Sequence, residues 1–176
     1  MIVVAFDLSL TSTGVARADG TTARITSKLT GPARLVELRE AVLLATSVPW
    51  AHLVVLEGLA YGVVRGNGAH HSELAGLHAI VRVALWEREV PVVEIPPASL
   101  KMVATGKGNA SKEEVHEAAI RRLGFTGANR DEADALWLWT AAQIHYGLST
   151  IELPATHRRG LDKVRWPTME PLHSSR

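Results

Sequence analysis

Residues Val3 to Ala16, VVAFDLSLTSTGVA, decide how the chain is read. The apolar run from Ile2 has the length of a buried strand and ends on its first charge, Asp7. Small hydroxylated residues and Gly14 come next. Gly14 to Ala18 and Ala23 to Lys28 read as two further short strands, joined through the turn-forming Asp19-Gly20-Thr21. These three strands predict an antiparallel meander.

The same pattern returns downstream. After a helical segment from Pro32 to about Ala45, with Leu35, Leu38 and Val42 at helical spacing, the strand His52–Leu56 again runs into a lone acid, Glu57. A loop from Gly58 to Gly68 carries Tyr61. A helix from about His70 to Glu87 then presents Leu74, Leu77, Val81 and Leu85 on one face. Pro91 to Ile95 is a short strand, which Pro96-Pro97 separates from the lysine-bearing segment beyond it. Ser111 with Glu114 forms a capping box for a helix to about Leu123, and a last helix starts near Asn129. The order of elements predicts one α/β domain with a mixed sheet over residues 1–148. A basic tail with three prolines, residues 149–176, reads as an extended or partly ordered arm.

Composition narrows the chemistry. A chain of 176 residues with 47% hydrophobic residues can build one core, and the absence of cysteine excludes disulfides and thiolate metal sites. No apolar run reaches the roughly 20 residues that span a bilayer, so a soluble, intracellular protein with no membrane partner is expected. The formal net charge is only +1, yet Leu100 to Lys112 holds Lys101, Lys107 and Lys112 and no acid. Lys107 suits a general phosphate contact, beside glycines that let the backbone approach closely. His70 and His71 are adjacent and diverge around a helix, which argues against a shared metal.

Four acids stand where structure alone does not ask for them. Asp7 and Glu57 end apolar strands, and Asp131 and Asp134, three apart in NRDEADALWLW, share one helix face. Taken singly, each could be a turn, cap or helix-dipole residue. Taken together, crowded carboxylates call for a cation between them, and hard oxygen ligands favour Mg²⁺ or Mn²⁺. A pair of such ions suits phosphodiester hydrolysis.

At these residues the chain resembles the RuvC-type Holliday junction resolvases of the RNase H-like superfamily. The matching pieces are VVAFDLSLTSTGVA, VVLEGL, IPPASLKMVATGKGNASKEEV and NRDEADALWLW, and the likeness covers roughly Ile2 to His145. It implies an RNase H-like α/β fold, with a mixed five-stranded sheet whose first three strands are antiparallel and helices on both faces. It also implies that Asp7, Glu57, Asp131 and Asp134 bind two Mg²⁺ ions, with Mn²⁺ able to substitute. Lys101 and Lys112 would contact DNA or the scissile phosphate. The implied activity is symmetric cleavage of a four-way DNA junction by a homodimer, giving 5′-phosphate and 3′-hydroxyl ends. The helix matching His70 to Glu87 would contribute to the dimer contact.

The family often places an aromatic three residues after the strand-end glutamate, where it meets junction bases. Here that position is Ala60, and Tyr61 comes directly after it. The compact length and the added tail suggest a divergent, phage-type member acting in the cytoplasm of a bacterium or its infected host. Alternatives are a related nuclease that cuts other branched DNA or RNA–DNA hybrids, and a non-catalytic DNA-binding protein on the same fold.

Overall fold

In the computed structural model, which describes residues 1–59 and 68–169, the first strand, β1 (Val3–Asp7), lies at the centre of a five-stranded sheet. β2 (Ser12–Ala16) and β3 (Thr22–Thr26) continue it as the expected meander, and β1 pairs antiparallel with β2. Helix α1 (Gly31–Ala45) leads to β4 (Leu53–Glu57), which pairs parallel with β1 on its other side. Helix α2 (Gly68–Trp86) leads to β5 (Val92–Ile95) at the sheet edge, so the strand order is β3-β2-β1-β4-β5.

Strand alternation sends successive side chains to opposite faces, and both faces are covered. Val4, Phe6, Val54 and Leu56 are buried with α1 and α2. Val3, Ala5, Leu53, Val55, Val93 and Ile95 are buried with α3 (Pro97–Thr105), α4 (Lys112–Leu123) and α5 (Arg130–His145). This is the mixed α/β architecture expected from the sequence.

Helix α3 departs from that expectation, which treated Pro96-Pro97 as a separator. Pro96 sits at the N-cap and Pro97 in the first turn, where a missing N–H removes no intrahelical bond. The capping box of α4 is present, with Ser111 Oγ accepting from the Glu114 amide at 3.1 Å and Glu114 accepting from the Ser111 amide at 2.8 Å. Asn129 caps α5 by accepting from the Glu132 amide at 3.1 Å.

Helix α5 packs across β1 and β2. Trp137 is fully buried and donates to the Val115 carbonyl, and Trp139 donates to the Val3 carbonyl, each at 3.2 Å. The stretch Ser149–Met169 is irregular apart from the short α6 (Ala155–Arg158), as its prolines predict. It nonetheless lies against the domain, with Leu153 and Val164 in the α3–α5 core. Among the described residues no helix is long and apolar enough to cross a membrane.

The first turn of α5 reaches the backbone of β2 at Gly14, where a Cβ would collide with the Asp131 carbonyl. Gly14→Ala is expected to cost about 2 kcal/mol through overpacking. Urea unfolding measures that loss, and an unchanged midpoint would show that α5 can yield.

Candidate active site

Asp7 and Glu57 end neighbouring parallel strands. The register sets Phe6 beside Leu56, so the next residues stand side by side, on the face that also buries Val3, Ala5, Leu53 and Val55. Helix α5 covers this face and delivers Asp131 and Asp134 from its first two turns. Asp131 is held by Ser12, whose Oγ donates to Oδ2 at 2.6 Å. Glu132 points away and accepts from Thr22 Oγ1 at 2.7 Å, as the helical spacing predicts. Ser12 and Gly14 were not among the expected site residues. Their only sequence signal is the run of small residues in SLTSTG.

Lys112, in the first turn of α4, reaches over the cluster with Nζ 3.6 Å from Asp134 Oδ2. Lys101 on α3 is near enough for its charge to act on Glu57. Lys107 is exposed and pairs with Glu114 at 3.4 Å. Tyr61 lies outside the described residues.

Burial and crowding govern the protonation of these groups. Asp7 is only 7% exposed, and its carboxyl is pushed well above the carboxylate range, first by burial and then by Glu57. Burial also raises Glu57, which shares a hydrogen bond with Asp7. Asp134, 6% exposed, is pushed up to about 7 by burial and then by Asp7, against the opposing pull of Lys112. Burial works to lower Lys112, but the surrounding carboxylates, Asp134 first, outweigh it and hold the ammonium above its ordinary value.

The donor set fits a hard divalent cation: oxygen ligands only, with a deficit of positive charge that Lys112 and Lys101 make up only in part. Among the described residues no three side chains already close on a single point. Asp7 and Glu57 instead bond to each other, and Asp134 leans on Lys112.

A cavity of about 200 Å³ adjoins Asp7 and Glu57 and is lined by His71 and His78 of α2. His70 is exposed and does not line that cavity, so the adjacent pair does diverge. Burial pulls His78 down to about 4, which keeps its imidazole neutral, and its Nδ1 has no hydrogen-bond partner among the described residues.

Comparison with known proteins places these observations. No family model matches the chain. The chain is 46% identical over 59 residues to the crossover junction endodeoxyribonuclease RuvC of Synechococcus sp. (strain CC9902), covering 32% of this chain and 38% of that protein. The RuvC of Parasynechococcus marenigrum (strain WH8102) matches to the same extent. The matched stretch thus spans less than two fifths of the curated relatives' length.

Solved structures match more fully. Thermus thermophilus RuvC in complex with Holliday junction substrate aligns with TM-score 0.67 at 25% identity, over 84% of this chain and 97% of that one. The Thermus thermophilus RuvC structure aligns with TM-score 0.62 at 25% identity, over 84% and 98%. The fold is RNase H-like, and the likeness to RuvC-type resolvases expected from the four motifs appears in both kinds of comparison.

A raised carboxyl pKa binds protons more tightly in the folded state, so its stabilisation is complete below the unfolded value and lost as pH rises through the folded one. The metal-free protein is therefore expected to lose thermal stability as pH climbs from 3.8 to about 7, where Asp134 ionises. Mg²⁺ or Mn²⁺ is expected to restore it above that pH. Melting curves with and without chelator check both halves, and a metal-independent, pH-flat melting temperature would contradict the charge deficit.

Proposed function

We propose that the chain is a structure-selective DNA endonuclease that resolves four-way junctions by symmetric hydrolysis, leaving 5′-phosphate and 3′-hydroxyl ends. The observation that carries this is the convergence of Asp7, Glu57, Asp131 and Asp134 at one edge of an RNase H-like sheet, under Lys112. Relatives 46% identical over 59 residues are named as crossover junction endodeoxyribonucleases.

The four carboxylates would hold Mg²⁺, two ions per site, with Mn²⁺ able to replace it. When bound, such ions activate an attacking water and stabilise the leaving oxygen. Ser12 keeps the Asp131 carboxylate aimed at the site through its 2.6 Å hydrogen bond. Lys112 neutralises charge on the scissile phosphate, an interaction that strengthens as the transition state gathers negative charge. Lys101 and Lys107 track the DNA backbone and set orientation rather than sequence. Tyr61 would meet junction bases from one residue beyond the position, Ala60, at which the family often carries its aromatic.

Two copies would act together, one on each of two symmetry-related strands. Support for a contact through α2 comes from Val83 and Trp86, which are 56% and 78% exposed. Residues 1–148 would form the nuclease domain and 149–176 its C-terminal addition, working in the cytoplasm.

The test is cleavage of a labelled mobile four-way junction beside a linear duplex and an RNA–DNA hybrid, with Mg²⁺, Mn²⁺ or chelator. Paired nicks confined to the junction are expected, reduced to background in Asp7→Asn, which keeps shape but removes a ligand charge. Lys112→Ala is expected to lower kcat by about 10²-fold, the scale of one lost transition-state donor. Cleavage of the hybrid would move the protein to another nuclease class, and cleavage by Asp7→Asn would refute the site.

A further inference from the structure

The C-terminal stretch, which the likeness to the resolvases does not absorb, folds back over the segment that carries Lys101 and Lys107. His157 is only 6% exposed, and its Nδ1–H donates to the Val103 carbonyl at 2.8 Å. Val103 lies in the last turn of α3, where carbonyls lack intrahelical partners. The rest of the ring lies over Gly106, whose backbone is left-handed at φ 79°, so close that a Cβ there would stand 3.0 Å from Nε2.

Three residues on, Gly160 presses its backbone onto α3. A Cβ at Gly160 would come within 2.5 Å of the Ser99 carbonyl and 2.7 Å of Val103 Cγ2. Leu153 and Val164, on either side, are anchored in the core. Beyond them Trp166 stacks on His145 with ring centres 4.3 Å apart, and Tyr146 donates to the Pro167 carbonyl at 2.8 Å.

The clamped end of α3 governs both lysines. Thr105 Oγ1 donates to the Lys101 carbonyl at 2.8 Å and accepts from the Lys107 amide at 3.1 Å. Whatever holds Val103 and Gly106 therefore holds the backbone from which the two side chains project.

The geometry points to His157 as a positioning residue: with Gly160 it straps the α3–Gly106 turn in place, so that Lys101 and Lys107 meet the DNA backbone preorganised. This rests on the nuclease reading for its ligand. The mechanical part concerns the free protein alone. A preorganised cationic segment loses less freedom on binding, so its loss should weaken binding of DNA and leave the chemical step intact.

His157→Ala is expected to speed amide hydrogen exchange across residues 101–108. It should weaken binding of the four-way junction, measured by anisotropy in chelator, about tenfold. The single-turnover cleavage rate at saturating junction should stay within twofold of wild type. His157→Asn, whose amide can donate to the Val103 carbonyl, should recover most of the affinity. In a Lys101→Ala/Lys107→Ala background His157→Ala should add little further loss, since the strap acts through those two contacts. In the wild-type protein, residues 101–108 and 157–160 should open as one unit as urea rises.

Unchanged affinity in a folded variant, losses that add fully to those of Lys101→Ala/Lys107→Ala, or independent opening of the two stretches would overturn the strap. A wild-type protein that binds none of the DNAs would instead overturn the nuclease reading, and the exchange data would still decide whether His157 holds the turn.

Discussion

The first turn of α5 rests directly on the backbone of β2 at Gly14, where even a methyl group has no room. That contact sets the height of α5 above the sheet. It brings the Asp131 carboxylate within reach of Ser12 and Asp134 near enough for its charge to act with those of Asp7 and Glu57. The rest of α5 is placed by the same seat, with Trp137 in the core and Trp139 bonded to the start of β1. One absent side chain on β2 therefore connects the packing of α5 on the sheet to the geometry of the site.

The site that results is held against its own electrostatics. Asp7, Glu57 and Asp134 are gathered where burial already opposes their ionisation, with Asp131 beside them, and Lys112 offsets part of the repulsion. Two apolar layers, one on each face of the sheet, supply the stability that tolerates this. Such a concentration of buried acid is what the proposed binding of divalent cations and DNA would account for.

The parts of this arrangement governed by local rules were legible in the sequence. Asp7 and Glu57 stood out as lone acids at strand ends that converge if their strands are neighbours, and the three-residue spacing joined Asp131 to Asp134 and excluded Glu132. What depends on tertiary proximity was not. The role of Ser12 needs a partner 119 residues away, and that of Gly14 needs a helix whose approach no local pattern announces. Helix α3 was hidden because Pro-Pro reads as a break, although proline is well suited to a first turn. The C-terminal stretch showed no periodicity because it packs through single residues, His157 and Gly160, rather than through a repeating face.

The alternation that directs both strand-end acids to one side also bears on how the chain finds its fold. A one-residue slip of β4 against β1 would turn the Glu57 carboxylate through the sheet into the layer formed by Val54, Leu56 and the α1–α2 helices. An unpaired charge in that layer has no compensating partner, so the slipped pairing is disfavoured more steeply than an all-apolar strand would make it. The same acids that burden the native state thus burden its nearest competitor more, and they act as a proofreading mark for strand register before any ligand arrives.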